Sequence, residues 1–183
     1  HGEYAWLCNS RKIILDSTGL SSHIEESAHN FLVGLRYLTS FDLTAIAEFY
    51  HQSTGFSKDE MKNFYSLVHR GFDAYRTMGT TTGMAKAMSL AESGYARPNT
   101  MRNYFYLRLS QKEPFDILYF TPSLTCMLNI DDHSANIMPE LIYTGITNLE
   151  LRLRTAVLTG AVNSEFGEKQ TDYRIELRAG FYF

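Results

Sequence analysis

The chain closes on "YRIELRAGFYF", Tyr173–Phe183, and this stretch decides how the rest is read. Tyr173, Ile175, Leu177, Ala179, Phe181 and Phe183 fall on one side of an extended chain. Asp172, Arg174, Glu176, Arg178, Gly180 and Tyr182 fall on the other. A period of two is the mark of a β-strand whose faces meet different surroundings. In a sandwich inside water, the polar side only has to be wet. Here it carries a run of alternating charge.

The segment before it repeats the pattern. Leu149, Leu151, Leu153, Thr155 and Val157 oppose Glu150, Arg152, Arg154 and Ala156. If the two segments are antiparallel neighbours, their charges stack in mixed-sign rows, each opposite pair contributing about 0.2–1 kcal/mol. Moving upstream, 134–145 sets Ala135, Ile137, Pro139, Leu141 and Tyr143 against Asn136, Met138, Glu140 and Thr144. The apolar stretch 117–130 is ambiguous in facing, and Pro122 suggests a bulge there. Residues 102–111 set Phe105, Leu107 and Leu109 against Tyr104, Tyr106 and Arg108. Residues 43–51 set Ala45, Ala47 and Phe49 against Thr44, Glu48 and Tyr50, and 30–38 set Phe31, Val33, Leu35 and Tyr37 against Gly34 and Arg36. A stub at 3–8 completes a set of about eight strands.

The connections differ in length from one end to the other. Tight turns are expected at Ser40–Asp42, around Pro114–Asp116 and at Thr147–Asn148, each ending in Asp or Asn before an aliphatic residue. Longer polar connections are expected at 9–29, 52–101 and 163–171, with 131–134 on the same rim. The 52–101 connection has structure of its own. Ser57 and Glu60 read as a capping box, followed by Met61, Phe64, Tyr65, Val68, Phe72 and Tyr75 at helical spacing. A second helical stretch, 84–93, ends at Gly94, with Pro98 beyond it. Two short helices in this loop either cap one end of the sheet or fold against it.

Bulk properties exclude some classes. The chain has 183 residues, room for one domain, and a net charge of −3 with no basic stripe, which speaks against a nucleic-acid partner. No apolar run of about 18 residues marks a membrane helix. Mean hydropathy is −0.23, a value shared by soluble domains and membrane β-barrels. Cys8 and Cys126 lack metal-ligand spacing, and no His pair sits at i, i+4 among the six histidines. Asp131–Asp132 reads as a solvated turn. His51 and Arg102 fall opposite each other with no nucleophile beside them, and no nucleophile elbow occurs, so no catalytic residue, metal site or cofactor is implied.

With its terminal Phe183 and the alternating Phe181, Leu177, Ile175 and Tyr173, the C-terminus resembles the assembly signal of bacterial outer-membrane β-barrel proteins; Ala179 departs from it in being small. The resemblance implies an all-β fold: an antiparallel up-and-down transmembrane β-barrel, with about eight strands in this chain and two helices in one long loop. It also implies residence in the bacterial outer membrane, contact with outer-membrane lipid, and handling by the barrel-insertion machinery. A chain opening inside a strand suggests the C-terminal portion of a larger, porin-like barrel. Aromatics near strand ends (Trp6, Tyr37, Phe49, Phe181, Tyr182, Phe183) fit an interfacial girdle.

The inward charges then become the candidate site: Arg36, Glu48, Arg108, Glu140, Glu150, Arg152, Arg154, Arg174, Glu176 and Arg178. In a barrel of eight strands they form a salt-bridged plug, because the lumen barely holds side chains. In a wider barrel they line a charge-selective path for small solutes. The alternative function is a surface receptor, adhesin or scaffold acting through the 52–101 loop.

Overall fold

The computed structural model describes every residue from His1 to Phe183. The strands form one sheet in strict sequence order, with every neighbouring pair antiparallel. They are β1 (Gly2–Leu15), β2 (Ser21–Leu38), β3 (Leu43–Gln52), β4 (Asn103–Gln111), β5 (Phe120–Asn129), β6 (Ser134–Ile146), β7 (Leu149–Thr159) and β8 (Tyr173–Phe181). Between β3 and β4 stand α1 (Lys58–Met78) and α2 (Thr82–Leu90), the latter running into a π-helical turn at Ala91–Tyr95. The all-β expectation holds. The sheet, however, is open: β1 and β8 are its edges and do not pair with each other.

The pairing registers sort the side chains into two faces. One face is largely apolar from the C-terminal part of β2 to β8. A row through its middle runs Leu35, Ala47, Leu107, Cys126 and Ile137 to Val157 and Tyr173. Aromatics gather at its two ends. Tyr4, Trp6, Phe31, Phe49 and Phe105 stand toward the long-loop end, while Tyr37, Phe120, Tyr143 and Phe181 stand toward the short-turn end. The other, polar face carries the charge in separate rows: Arg36, Ile46, Arg108 and Thr125 share one, Glu140, Arg154 and Glu176 another, and Glu48 faces Tyr106 in a third.

Burial is inverted relative to a sheet that hides apolar side chains. On the polar face Tyr104, Thr125, Asn129, Ser134 and Glu140 are buried, while Val33, Leu35, Tyr37, Ile175 and Phe181 lie exposed opposite them and Leu177 is 76% exposed. No helix is long and apolar enough to cross a membrane.

Several connections differ from the sequence reading. Residues 9–29 form no loop: β1 and β2 run on as a hairpin joined by a turn at 16–20. That turn is held by Asp16 Oδ1, which accepts from Thr18 N, Thr18 Oγ1 and Leu20 N. The extension escaped detection because its residues, such as Ser22, Glu25 and Glu26, are exposed on both faces, so alternation vanishes. The β5–β6 turn, His133 included, is as tight as those of the opposite rim, whereas the β4–β5 connection spans 112–119 with left-handed residues at Glu113, Phe115, Asp116 and Tyr119. Segregation of loop length therefore rests on 53–102 and 160–172.

Pro122 makes no bulge. It pairs with Leu141 in unbroken register, one residue beyond the last β4–β5 pair, where its missing N–H leaves no gap in that ladder. Register shifts fall instead between Leu7 and Ser10 and between Tyr143 and Ile146.

The helical insertion brings the water-excluding core. Ser57 caps α1 in the expected box: its Oγ accepts from Glu60 N, and Glu60 Oε2 accepts from Ser57 N at 2.6 Å. α1 and α2 cross at Gly71 and Gly83, where a Cβ on Gly71 would lie 2.9 Å from the Gly83 carbonyl carbon. The cluster under them is Leu15, Phe56, Met61, Phe64, Leu90, Tyr95, Met101 and Tyr104. Tyr95 stacks on Phe56 at 3.9 Å and on Phe64 at 4.7 Å between ring centroids. Each such side chain contributes about 1.5–3 kcal/mol on leaving water. Because Leu15 comes from the β1 extension and Tyr104 from the polar face, the insertion is anchored across the long-loop end of that face. Of the helical stripe read in the sequence, Met61 and Phe64 are buried, but Phe72 and Tyr75 are exposed.

Candidate functional site

Antiparallel pairing brings the β4–β8 charges together. Glu140, only 6% exposed, sits between strands. Its Oε2 accepts from Arg154 Nε at 2.8 Å and Nη2 at 2.5 Å, in a charge-assisted fork. Arg152 Nη1 stands 3.8 Å from the same oxygen, and Arg108 Nη2 reaches Oε1 at 4.0 Å from two strands away. Arg152 also donates to Glu150 at 3.0 Å, and Arg174 to Glu176 at 3.1 Å.

The rows are not all of mixed sign. Arg154 lies between Glu140 and Glu176, but the neighbouring row sets Arg152 directly opposite Arg178, like against like. That juxtaposition costs stability and leaves positive charge on the wall. At the β2–β3 side, Glu48 is 3.2 Å from His1 Nε2. Arg36 faces a separate hollow of about 440 Å³ shared with Arg108 and Lys112 near the short-turn end. The structure thus gathers Arg108, Glu140, Glu150, Arg152 and Arg154 into one network. It leaves Arg174–Glu176 as a flanking pair and Arg36, Glu48 and Arg178 apart from it.

A second polar assembly, at the long-loop end, has no precedent in the sequence pattern. Glu165, in the 160–172 loop, is 1% exposed. Its Oε2 accepts from the Tyr104 hydroxyl at 2.5 Å and Asn129 Nδ2 at 2.8 Å, and its Oε1 from Thr100 N at 3.3 Å. Glu165 N in turn donates to Asp132 Oδ2 at 2.6 Å, while Asp132 Oδ1 accepts from Ser134 N and Oγ. Asp131 accepts from Arg102 N, Asn103 N and Asn103 Nδ2. The Asp131–Asp132 pair is therefore no solvated turn; both carboxylates are consumed by protein donors. No cluster of acidic, His or Cys side chains could hold a metal ion. His51 lies opposite Asn103, not Arg102, and bonds to its Oδ1 at 2.8 Å.

A third contact fixes the insertion to the β1 extension. Lys12 Nζ, buried, donates to Glu60 Oε2 at 2.8 Å and to Gly55 O at 3.0 Å, and stands 4.8 Å from the centre of the Phe56 ring. Burial works to raise the Glu60 carboxyl, but the Lys12 ammonium and the Ser57 N–H outweigh it and hold the group below its ordinary value. Burial pushes the Tyr95 hydroxyl up to about 12, against the hydrogen bond it accepts from Leu15 N.

These arrangements can hold fixed charge on a wall and lock loops over one end of it. No family model, no curated protein and no solved structure matches the chain.

Proposed function

We propose that the chain forms the wall of a bacterial outer-membrane pore that passes small, charge-selected solutes. The observation that carries this reading is the inverted sheet. Apolar side chains occupy the exposed face from β2 to β8, aromatics stand at its two ends, and ionised groups occupy the opposite face. Lipid is the medium that makes such a face favourable, since each exposed aliphatic side chain in water forgoes about 1.5–3 kcal/mol. In this reading the open edges of β1 and β8 are completed into a closed barrel, because an unpaired ladder is not tolerated in hydrocarbon. The terminal row Tyr173, Ile175, Leu177, Phe181 and Phe183 serves as the assembly signal.

The arginines on the polar face outnumber the glutamates, and Arg178, opposite the already paired Arg152, forms no ion pair and leaves positive potential unneutralised. The path favours anions. The test is conductance of the refolded chain in a planar bilayer. Steady current with anions more permeant than cations is expected; a silent membrane rejects the pore.

A second reading, a surface receptor acting through 52–101, is favoured by one feature. Phe72, Tyr75, Met78 and Met88 present exposed apolar surface on the helical hairpin. Silence in the bilayer together with ligand capture by the hairpin would establish it.

A further inference from the structure

Beyond the Glu140 network, a cavity of about 720 Å³ opens at the long-loop end of the polar face, floored by β5–β8 and rimmed by 96–99 and 165–171. Its walls are of two kinds. Lys169 brings free positive charge, beside Arg154 and Arg174, which are already paired with Glu140 and Glu176; Met138, Leu158 and Phe166 bring apolar surface. The acids nearby are committed. Glu176 is paired with Arg174 at 3.1 Å, and Glu165 directs both oxygens to Tyr104, Asn129 and Thr100. No such commitment holds Lys169, which forms no ion pair within 4 Å. The cavity falls within the roughly 300–1,000 Å³ that encloses a small organic ligand.

We propose that this cavity is a docking site for organic carboxylates carrying an apolar ring or chain. A bare inorganic anion leaves the half-buried Met138 and Leu158 without a partner. A neutral sugar leaves Lys169 unused. A carboxylate with an apolar body satisfies both walls at once. The inference deepens the pore reading and rests on it for the role of the bound anion, a solute held at the entrance to the charged wall. Binding itself is measured independently.

The test is titration calorimetry of the full chain, refolded in detergent, with 2-naphthoate and its uncharged counterpart 2-naphthamide. Naphthoate is expected to bind saturably, with the amide at least about ten-fold weaker, the size of one charge-assisted contact. Lys169→Gln, which breaks no ion pair, is expected to weaken naphthoate several-fold and leave the amide unchanged; adding Arg174→Gln weakens it further. Equal affinity for acid and amide, an unchanged affinity in both variants, or no saturable naphthoate binding to folded chain overturns the proposal. Bilayer current separates the two readings: current without naphthoate binding sinks the site and spares the pore, and binding without current does the reverse.

Discussion

Glu140 is the residue on which the charged wall turns. It is nearly buried, and Arg154, Arg152 and Arg108 all lie within 4.0 Å of its carboxylate. Glu140→Gln removes that negative charge while keeping the shape. The arginines are then left facing one another, with Arg152 already opposite Arg178. The variant is expected to lose about 2 kcal/mol in detergent unfolding. That is less than the roughly 3–5 kcal/mol of a fully buried pair, because Arg154 is nearly half exposed. In a bilayer its anion-to-cation permeability ratio is expected to rise; an unchanged or lower ratio removes Glu140 from the path. Glu165 poses a different problem. Both its oxygens accept, so Glu165→Gln sets an amide N–H₂ against the donors of Tyr104 and Asn129 or of Thr100. The mismatch costs about 1–3 kcal/mol. Limited proteolysis is expected to cut within 160–172 in the variant and spare the parent. Nothing in the sequence marked this residue. Its partners lie 33 to 65 positions away, and a lone loop glutamate has no periodicity to betray it. The strand charges were legible because they alternate; which arginine meets which glutamate was not, since the β6–β7 register shifts at an irregularity between Tyr143 and Ile146 that the alternation does not mark.

Among the elements, the helical insertion is the one whose docking depends on titratable groups, and the sign at each end of the pH range is fixed. Glu60 is held below its ordinary value of 4.5 in the folded chain. Its pairing with Lys12 therefore contributes fully above that value and is lost as pH falls through the lowered one. Tyr95 is raised from 10.0 to about 12, so its neutral, stacked form contributes below pH 10 and is lost as pH climbs toward 12. Amide exchange along α1 is expected to be slow near neutrality and to quicken at both extremes, while β4–β7 amides stay protected. Uniform exchange across strands and helices would show that the insertion does not open as a unit. Its capping box was readable because Ser57 and Glu60 are near neighbours in sequence. Its seat on β1 was not, because Lys12 and Leu15 lie in a stretch whose exposed neighbours conceal the strand. Excision of 57–95 is consequently a blunt probe, as it strips the cover from Leu15, Met101 and Tyr104. Lys12→Met is milder. It keeps the stem of the side chain and leaves Glu60 without its cation, so α1 exchange is expected to quicken already at neutral pH.

For the molecule as a whole, the decisive matter is which medium touches which face, and a single tryptophan makes that measurable. Trp6 lies on the apolar side of β1, paired with His29, next to Tyr4 and close to the level where aromatics gather. Its ring is largely exposed, so the surrounding medium sets its fluorescence. In vesicles with bromine near the acyl-chain head, Trp6 emission is expected to be strongly quenched, and aqueous iodide is expected to have little effect. Depth gives an internal control: bromine at the chain terminus should quench less, because Trp6 stands at the end of the apolar face. The two faces of β8 supply the complement. A cysteine at Leu177 is expected to resist a charged thiol reagent in vesicles, and one at Glu176, on the opposite face, to react readily. These labels are read in a chain with Cys8 and Cys126 replaced by serine. Leu177→Arg carries the same logic into energetics, with an expected penalty of about 2–4 kcal/mol if that position lies near mid-bilayer. Should Leu177→Arg cost nothing and both β8 cysteines react alike, the apolar face meets water or protein, and the pore loses the medium that makes its inverted sheet stable.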